Sequence, residues 1–297
     1  MEKIITGNVS DHYDAYKIIR FKSYDQGVMW LDGDLALLAA GFEYPVEELR
    51  DIIENLERQV DEMADTVRQL YQTELDRVLK GKKFTFAIIG CSFSSEYLSY
   101  FNVIRRVLSD YPDIQVIDGA VTAETVPQTV EHIYNRVLRY KPDISSLFMG
   151  INDMRRNLDV YSKNNVSPQE FQRDMRYLTK MLRRSGDVIL HTLTPCNIAA
   201  QEQSSLDRRW TYRIDDWDIY NGIIRRIADE ECCVLNDQTA YLRDFNGVVN
   251  IPENGLHITR EAQEFLAIHF MRTFLNTVET HFLVPTQHFM SDFRFQP

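Results

Sequence analysis

The stretch Phe84-Thr-Phe-Ala-Ile-Ile-Gly-Cys-Ser-Phe-Ser-Ser95 decides how this chain of 297 residues folds. An apolar run rich in aromatic and branched side chains stops at Gly90, and a helix-like pattern follows. This pattern predicts a buried parallel strand that ends in a tight turn. Ser92 falls on the turn, where its hydroxyl either caps the next helix or is placed for chemistry, because ligands of open α/β sheets bind beyond the carboxyl ends of the strands.

From residue 84 onward, strand-like and helix-like patterns alternate, which is typical of a parallel sheet covered by helices on both faces. The expected architecture is an α/β three-layer sandwich around a flavodoxin-like five-stranded parallel sheet of order 2-1-3-4-5. An α/β domain is therefore expected over residues 84–297, ending in an aromatic tail. The predicted strands are residues 84–89, 114–118, 144–149, 188–193 and 232–236.

Residues 1–83 are expected to form an N-terminal helical extension. Residues 1–43 are rich in aromatic side chains but lack sustained periodicity, so they predict only short helices that dock on another element. Pro45 opens a long helix over about residues 45–80, with apolar residues spaced in heptads. This seam predicts a homodimer through residues 46–70, formed as a parallel coiled coil. A helix that lies along its own domain is the alternative.

The overall charge of the chain argues against several classes of partner. Acidic residues outnumber basic ones by 44 to 33, giving a net charge of -11, which disfavours nucleic acid and anionic membranes. No apolar run approaches membrane-spanning length. The four cysteines lack metal-finger spacing and are expected to be free thiols in a reducing compartment, so a cytoplasmic location without metal or cofactor is predicted.

Three strand ends are expected to meet at one edge of the sheet. They carry Ser92, the small-residue loop Asp118–Thr125 and the segment Gly150–Asp153. A hydroxyl, free backbone N–H groups and the Asn152 amide together are the parts of a nucleophile with an oxyanion hole. A serine needs a base within hydrogen-bond reach, and His257, just before the last predicted helix, is placed to supply it.

This set of motifs resembles the SGNH or GDSL hydrolases, a family of esterases and lipases, over most of residues 84–280. The blocks that carry the resemblance are Gly90-Cys-Ser-Phe-Ser, Asp118–Thr125, Gly150-Ile-Asn-Asp153 and Asn254-Gly-Leu-His257. By that resemblance, Ser92 is the nucleophile and His257 the general base. The oxyanion hole is formed by Asn152 and the backbone N–H groups of Ser92 and Ala120.

Three positions depart from the family pattern. Cys91 replaces an aspartate, Ala120 stands where the family has glycine, and Asn254 occupies the position of the triad aspartate. An asparagine oxygen can fix the histidine tautomer, but it does not stabilise an imidazolium as a carboxylate does. Glu253 and Asp244 are the alternative orienting groups.

The predicted function is that of a serine hydrolase that cleaves a carboxylic ester through an acyl-serine intermediate. By family resemblance, the acyl group is small, such as acetyl, and is carried on a sugar or alcohol. Arg155 is the candidate for substrate binding, and Arg156, Arg208 and Arg209 are further candidates to hold an anionic group. Alternatively, these arginines are solvated or pair with Asp215, Asp216 and Asp218. The alternative is a weakly active or inactive binding or scaffold protein with this fold that oligomerises through its N-terminal helix.

Overall fold

The computed structural model describes residues 12–26, 33–157, 162–203 and 210–283. Its centre is a five-stranded parallel sheet in the order β2-β1-β3-β5-β7, so the sheet strands, counted along the chain, stand in the predicted order 2-1-3-4-5. The short strands β4 and β6 pair antiparallel outside this sheet. The strands are β1 (Phe84–Gly90), β2 (Ile114–Asp118), β3 (Ile144–Phe148), β4 (Arg156–Asn157), β5 (Asp187–His191), β6 (Trp210–Thr211) and β7 (Val234–Asn236).

Helices cover the sheet in two layers, as expected for a three-layer sandwich. The described helices are α1 (His12–Arg20), α2 (Leu35–Gly41), α3 (Val46–Leu79), α4 (Ser92–Ser95), α5 (Tyr100–Leu108), α6 (Val126–Arg136), α7 (Ile151–Met154), α8 (Pro168–Arg183), α9 (Ile198–Gln203), α10 (Ile214–Glu230), α11 (Gln238–Tyr241) and α12 (Arg260–Leu283). Helices α3, α5 and α12 pack on one another, whereas α8 packs against α6 and α10. Right-handed crossovers place α5 and α6 on opposite faces, because the chain moves in opposite directions along the sheet after β1 and after β2.

The long helix α3 begins and ends close to the predicted positions, but its apolar seam does not face a second chain. Leu49, Leu56, Val60, Met63 and Val67 are all buried, and α3 packs against α5 and α12 of the same chain. The prediction of a coiled coil through this seam is therefore wrong, whereas a homodimer through residues 46–70 stays a prediction. A heptad pattern marks one apolar stripe on a helix, and the sheet-covering layer buries that stripe as completely as a partner helix would.

The N-terminal helices share one core with the α/β part of the chain. Ile19 of α1, Leu38 of α2 and Leu56 of α3 belong to the same buried cluster as Phe86 of β1. Residue 84 therefore marks the start of the sheet but not a boundary in the core. Of the aromatic tail, Phe282 contacts Phe84, with ring centroids 5.8 Å apart, and residues 284–297 lie outside the described residues.

Among the described residues, none of the helices combines the length and apolar character needed to cross a bilayer.

Candidate active site

The turn that carries Ser92 requires glycine at position 90. A Cβ atom on Gly90 would lie 2.0 Å from Ser94 Oγ and 2.7 Å from Ser94 Cβ, because α4 folds back over the end of β1. Ser92 is the first residue of α4, so the helix itself provides no acceptor for its backbone N–H. The glycine therefore lets the chain turn sharply enough to present both the hydroxyl and the N–H of Ser92.

His257 lies within hydrogen-bond reach of the serine. Its Nε2 is 2.9 Å from Ser92 Oγ, although the two residues are 165 positions apart in the chain. The loop that carries the histidine is held by a backbone hydrogen bond of 2.9 Å from Ile251 N to His257 O. It also needs glycine at position 255, where φ is +69° and a Cβ would lie 2.3 Å from the backbone nitrogen of Gln201.

Asn254 orients the histidine and fixes its tautomer. Its Oδ1 accepts hydrogen bonds from the backbone N–H groups of Leu256 (3.1 Å) and His257 (2.6 Å) and lies 3.0 Å from His257 Nδ1. Because backbone N–H groups only donate, the side-chain atom facing them is the amide oxygen rather than the nitrogen. The imidazole Nδ1 therefore carries the proton, and Nε2 is free to accept the proton of Ser92. Glu253 and Asp244 are exposed.

Ser92 and His257 are buried, and two phenylalanine rings stack on the imidazole. Ser92 and His257 are only 6% and 7% exposed. Burial, together with the positive charge of Arg20, lowers the pKa of His257 to about 3. Among the described residues no carboxylate contacts the ring, so no negative charge there opposes these two effects. The imidazole is thus neutral, as a general base must be, over the whole range above its lowered pKa.

Asn152 reaches the same edge of the sheet from α7. Gly150 precedes this helix with φ of +130°, a conformation that side chains other than glycine rarely adopt. The Asn152 Nδ2 group donates one hydrogen bond of 3.1 Å to Glu124 O in the loop after β2. An amide nitrogen carries two hydrogens, so one remains for a bound oxyanion.

In the loop after β2, the structure favours a different residue from the one predicted. The Ala120 N–H donates to Asp118 Oδ1 at 3.1 Å, so Ala120 does not offer the free donor expected of it. Ala123 adopts a left-handed conformation with φ of +58°, and its N–H meets no protein acceptor among the described residues. Its neighbours link it to the site, since Thr122 Oγ1 lies 2.8 Å from Ser95 Oγ and Glu124 O contacts Asn152.

Two residues of the N-terminal segment complete the site and were missed by the sequence analysis. The Phe21 ring stacks on the imidazole of His257, with centroids 4.1 Å apart, and Phe93 stacks on it at 4.7 Å. Arg20 lies beside Phe21 and is itself buried. The aromatic richness of residues 1–43 was visible in the sequence, but no motif or periodicity links that segment to His257.

A second serine–histidine pair lies in the core, and its hydrogen bond runs in the opposite direction, from the histidine to the serine. Ser146 Oγ is 2.6 Å from His191 Nε2, while the amide nitrogens of Asn236 (3.0 Å) and Gln238 (2.9 Å) face His191 Nδ1. These amides make Nδ1 the acceptor, so Nε2 carries the proton and donates to the serine. Such a histidine cannot deprotonate Ser146, and both residues are fully buried. This pair is a structural hydrogen-bond network.

The remaining candidate groups lie around the site or away from it. Arg155 follows α7, and its guanidinium carbon is 4.0 Å from the centre of the Trp210 ring; Arg208 and Arg209 lie outside the described residues. Cys91 is buried, which raises the pKa of its thiol to about 12 and leaves it unreactive. In the part of the chain that the structure describes, no cluster of three or more histidine, cysteine, aspartate or glutamate side chains is arranged to hold a metal ion.

Comparison with known proteins places this site in context. No protein-family model matches the sequence. A curated relative, an acetylxylan esterase from Geobacillus stearothermophilus, is 28% identical over 151 residues, which are 48% of this chain and 63% of the relative. The chain thus spans less than two thirds of the length of that relative.

Two solved structures share the fold. A lipase/acylhydrolase from Enterococcus faecalis superposes with a TM-score of 0.53 at 17% identity, covering 65% of this chain and 96% of the other. LAE5, an alpha/beta hydrolase enzyme from the metagenome of Lake Arreo, Spain, superposes with a TM-score of 0.51 at 17% identity, covering 68% and 99%. The two structures show the fold, and together with the curated relative they agree with the resemblance that the motif blocks suggested.

Proposed function

On the premise that the fold is that of an SGNH/GDSL-type hydrolase, we propose that this protein is a serine esterase. The observation that carries the proposal is the chain of contacts Ser92–His257–Asn254, with distances of 2.9 Å and 3.0 Å. The nucleophile, the base and the orienting group stand in the order that acyl transfer requires. The acetylxylan esterase activity of the relative supports the same class of reaction.

In the first step, Ser92 Oγ attacks the carbonyl carbon of the ester while His257 Nε2 takes the hydroxyl proton. The resulting imidazolium is held by the hydrogen bond from Nδ1 to Asn254 Oδ1. Negative charge develops on the former carbonyl oxygen. We propose that the backbone N–H groups of Ser92 and Ala123 and the Asn152 amide bind it, Ala123 taking the place first given to Ala120. Each such donor contributes roughly 3 to 4 kcal/mol in comparable sites.

Collapse of the tetrahedral intermediate breaks the bond between the carbonyl carbon and the leaving oxygen. His257 Nε2 returns its proton to that oxygen, and the alcohol departs from an acyl-Ser92 ester. Water then attacks the acyl group, with His257 again as the base, and the same steps in reverse order release the acid. The cycle restores the serine hydroxyl and the neutral histidine, so no external oxidant, metal or cofactor enters its balance.

The proposed substrate carries a small acyl group, acetyl, on a sugar or alcohol. The burial of Ser92 and the apolar rings around His257 favour a small acyl group, and the curated relative acts on acetylxylan according to its name. We assign Arg155 a role in binding the substrate. Its guanidinium carbon lies 4.0 Å from the centre of the Trp210 ring, and its Nε is buried without a hydrogen-bond partner among the described residues, whereas its neighbour Arg156 is bonded to Asp216 at 2.8 Å. All four cysteines are free thiols, which fits the proposed cytoplasmic location.

Asn254 is the observation that favours the second candidate, a binding protein of this fold with little or no turnover. A neutral amide stabilises an imidazolium less than a carboxylate does. The correct tautomer of His257 argues for the esterase, because a binding protein has no need of a serine–histidine hydrogen bond with a free acceptor on Nε2. The buried seam of α3 removes the coiled coil as the means of oligomerisation for this candidate.

Labelling with a fluorophosphonate probe distinguishes the two candidates, because the probe reacts covalently only with an activated serine. We expect the wild type to be labelled and Ser92→Ala to remain unlabelled. Ser146→Ala is the matched control, since it removes the serine of the core pair and should leave labelling intact. Peptide mass spectrometry should locate the adduct on Ser92. A folded wild-type protein that takes up no label would favour the binding protein.

A further inference from the structure

The N-terminal segment from α1 to Phe21 forms hydrogen bonds with three different loops of the candidate active site. The backbone oxygen of Arg20 accepts a hydrogen bond from Tyr97 N at 3.0 Å, just beyond the nucleophile turn. The backbone oxygen of Phe21 accepts one from Thr122 Oγ1 at 2.9 Å, in the loop after β2. Arg20 Nη2 donates to Ile258 O at 3.2 Å, one residue after the histidine. Two consecutive residues thus tie together the loops that carry the catalytic groups.

A buried contact between Arg20 and Glu96 anchors the segment. Arg20 Nε lies 3.7 Å from Glu96 Oε2, and neither side chain is exposed beyond a tenth of its surface. Gln263 of α12 donates to the other carboxylate oxygen of Glu96. Removing either side chain would leave buried polar atoms of the other without this contact, which costs free energy. The segment is therefore held in place rather than lying loosely on the surface.

The Phe21 ring lies nearly parallel to the imidazole of His257, with an angle of 18° between the planes, and Phe93 lies at 19°. Ring rotation about the Cβ–Cγ bond is the soft motion of a histidine side chain. Stacked rings oppose that motion and leave the ring edge, where Nε2 faces Ser92, unobstructed. They also exclude water from the imidazole faces.

We propose that Phe21 is a positioning residue of the catalytic site, which holds His257 in the orientation for proton transfer and keeps it dry, and that Arg20 and Glu96 clamp it there. This proposal rests on the esterase function proposed above. The N-terminal segment then contributes positioning residues to the active site, although the sequence predicted only a helical extension. Phe93 belongs to the nucleophile turn, so Phe21 is the stacking partner that can be changed without altering the turn itself.

The consequence for pH dependence has a defined sign. Arg20 is the charged group that acts on His257 from α1; Ser92, Phe93 and Asn254, which face the ring from the other elements, carry no charge. Burial lowers the pKa of the imidazole, so admitting water to its face raises that pKa toward the ordinary value of about 6.5. The acid limb of the kcat/KM profile is the pH range in which activity falls because His257 becomes protonated. This limb therefore moves to higher pH when Phe21 is replaced by a smaller residue.

The test compares Phe21→Leu, Phe21→Tyr and the matched core variant Phe274→Leu on hydrolysis of p-nitrophenyl acetate as a function of pH. Phe274 is buried against Phe84 and Phe86, away from His257. For Phe21→Leu we expect kcat to fall about tenfold, equivalent to the loss of one aromatic stacking contact, with KM little changed. The acid limb should move up by about one pH unit. Phe21→Tyr retains the stacked ring and should keep the wild-type kcat and acid limb. Phe274→Leu should lower the Tm without moving the acid limb.

The outcomes separate this proposal from the proposed function. If wild-type protein reacts with the fluorophosphonate probe at Ser92 while folded Phe21→Leu keeps the wild-type kcat and acid limb, the positioning role is refuted and the esterase stands. If Phe274→Leu moves the limb as far as Phe21→Leu, the effect is one of general stability and the proposal is also refuted. Absence of labelling in the wild type overturns the esterase and this inference with it. If Phe21→Leu does not fold, Phe21→Met, which keeps more of the apolar volume, is subject to the same criteria.

Discussion

Replacing Asn254 by aspartate tests the catalytic geometry most directly. The substitution replaces the amide NH₂ group by an oxygen. It keeps the oxygen Oδ1, which accepts hydrogen bonds from the backbone N–H groups of Leu256 and His257 and from His257 Nδ1. The hydrogen bond from His257 Nδ1 would become charge-assisted, and such bonds are roughly twice as strong as neutral ones. A neutral hydrogen bond contributes about 1 kcal/mol net, so the imidazolium formed in the transition state should gain about 1 to 2 kcal/mol.

That gain corresponds to a rise in kcat of about tenfold, since 1.36 kcal/mol is a factor of ten in rate. It is far below the 10⁴-fold effect of the corresponding aspartate-to-asparagine change in a serine protease, where the amide enforces the wrong tautomer. Here the two backbone N–H groups already turn the amide oxygen toward the ring. The substitution adds charge without correcting a tautomer.

The pH profile provides a second readout of the same variant. A carboxylate beside the ring raises the pKa of His257 from its lowered value of about 3. The acid limb of kcat/KM should therefore move to higher pH, so the gain in rate is measured well above the limb. Turnover of p-nitrophenyl acetate from about pH 2 to about pH 9 covers the limb of both the wild type and the variant.

The control for this experiment is the identity of residue 254 in the wild-type sample. Asn254-Gly255 is a sequence prone to deamidation, which would produce aspartate at the same position. Peptide mass spectrometry of each preparation excludes that contribution. A folded Asn254→Asp variant whose kcat is unchanged or lower above the acid limb would refute the assignment of Asn254 as the orienting group.

Three further predictions concern the fold around the site. Gly90→Ala should abolish turnover and fluorophosphonate labelling, because its Cβ would overlap Ser94 Oγ at 2.0 Å; ordinary labelling would contradict the proposed turn. Leu56→Ala should lower the free energy of unfolding by about 2 to 5 kcal/mol, as expected for a buried leucine, and light scattering should show the same mass as for the wild type. Burial raises the pKa of Glu96 to about 7, so the stability of the wild type relative to Glu96→Gln should be greatest below pH 4.5 and fall by about 3 kcal/mol as pH rises through 7. Urea unfolding at several pH values measures this difference, and a constant difference would show that the carboxyl is not buried.

The sheet and the contact between Ser92 and His257 could be predicted from the sequence because they depend on local signals. A strand such as β1 is marked by a short apolar run, and its end is marked by a glycine. The doubly wound topology then brings strand ends to one edge whatever the lengths of the connections. Ser92, Asn152 and His257 each lie directly after a strand or before a helix, so the motif order was enough to locate them.

The errors arose where the answer depends on packing between distant segments. The apolar seam of α3 shows the same heptad pattern whether it packs against another chain or against α5 and α12. No feature of the sequence distinguishes these two arrangements. The difference between Ala120 and Ala123 depends on backbone φ and on the hydrogen bond from Ala120 N to Asp118 Oδ1. Neither is visible in residue types, because both positions are alanine.

The burial of His257 and the choice of asparagine at position 254 act on catalysis in the same direction. Both disfavour the imidazolium, one by removing water and the other by omitting a negative charge, so the base stays neutral deep into the acidic range. The same two features raise the cost of the transition state, in which the ring must carry the proton of Ser92. An enzyme built in this way should hold its rate at low pH but turn over slowly. The variants Asn254→Asp and Phe21→Leu relieve different parts of this cost, since one adds charge and the other admits water. Both should move the acid limb upward, but only Asn254→Asp should also raise kcat, because Phe21→Leu loses the orientation of the ring.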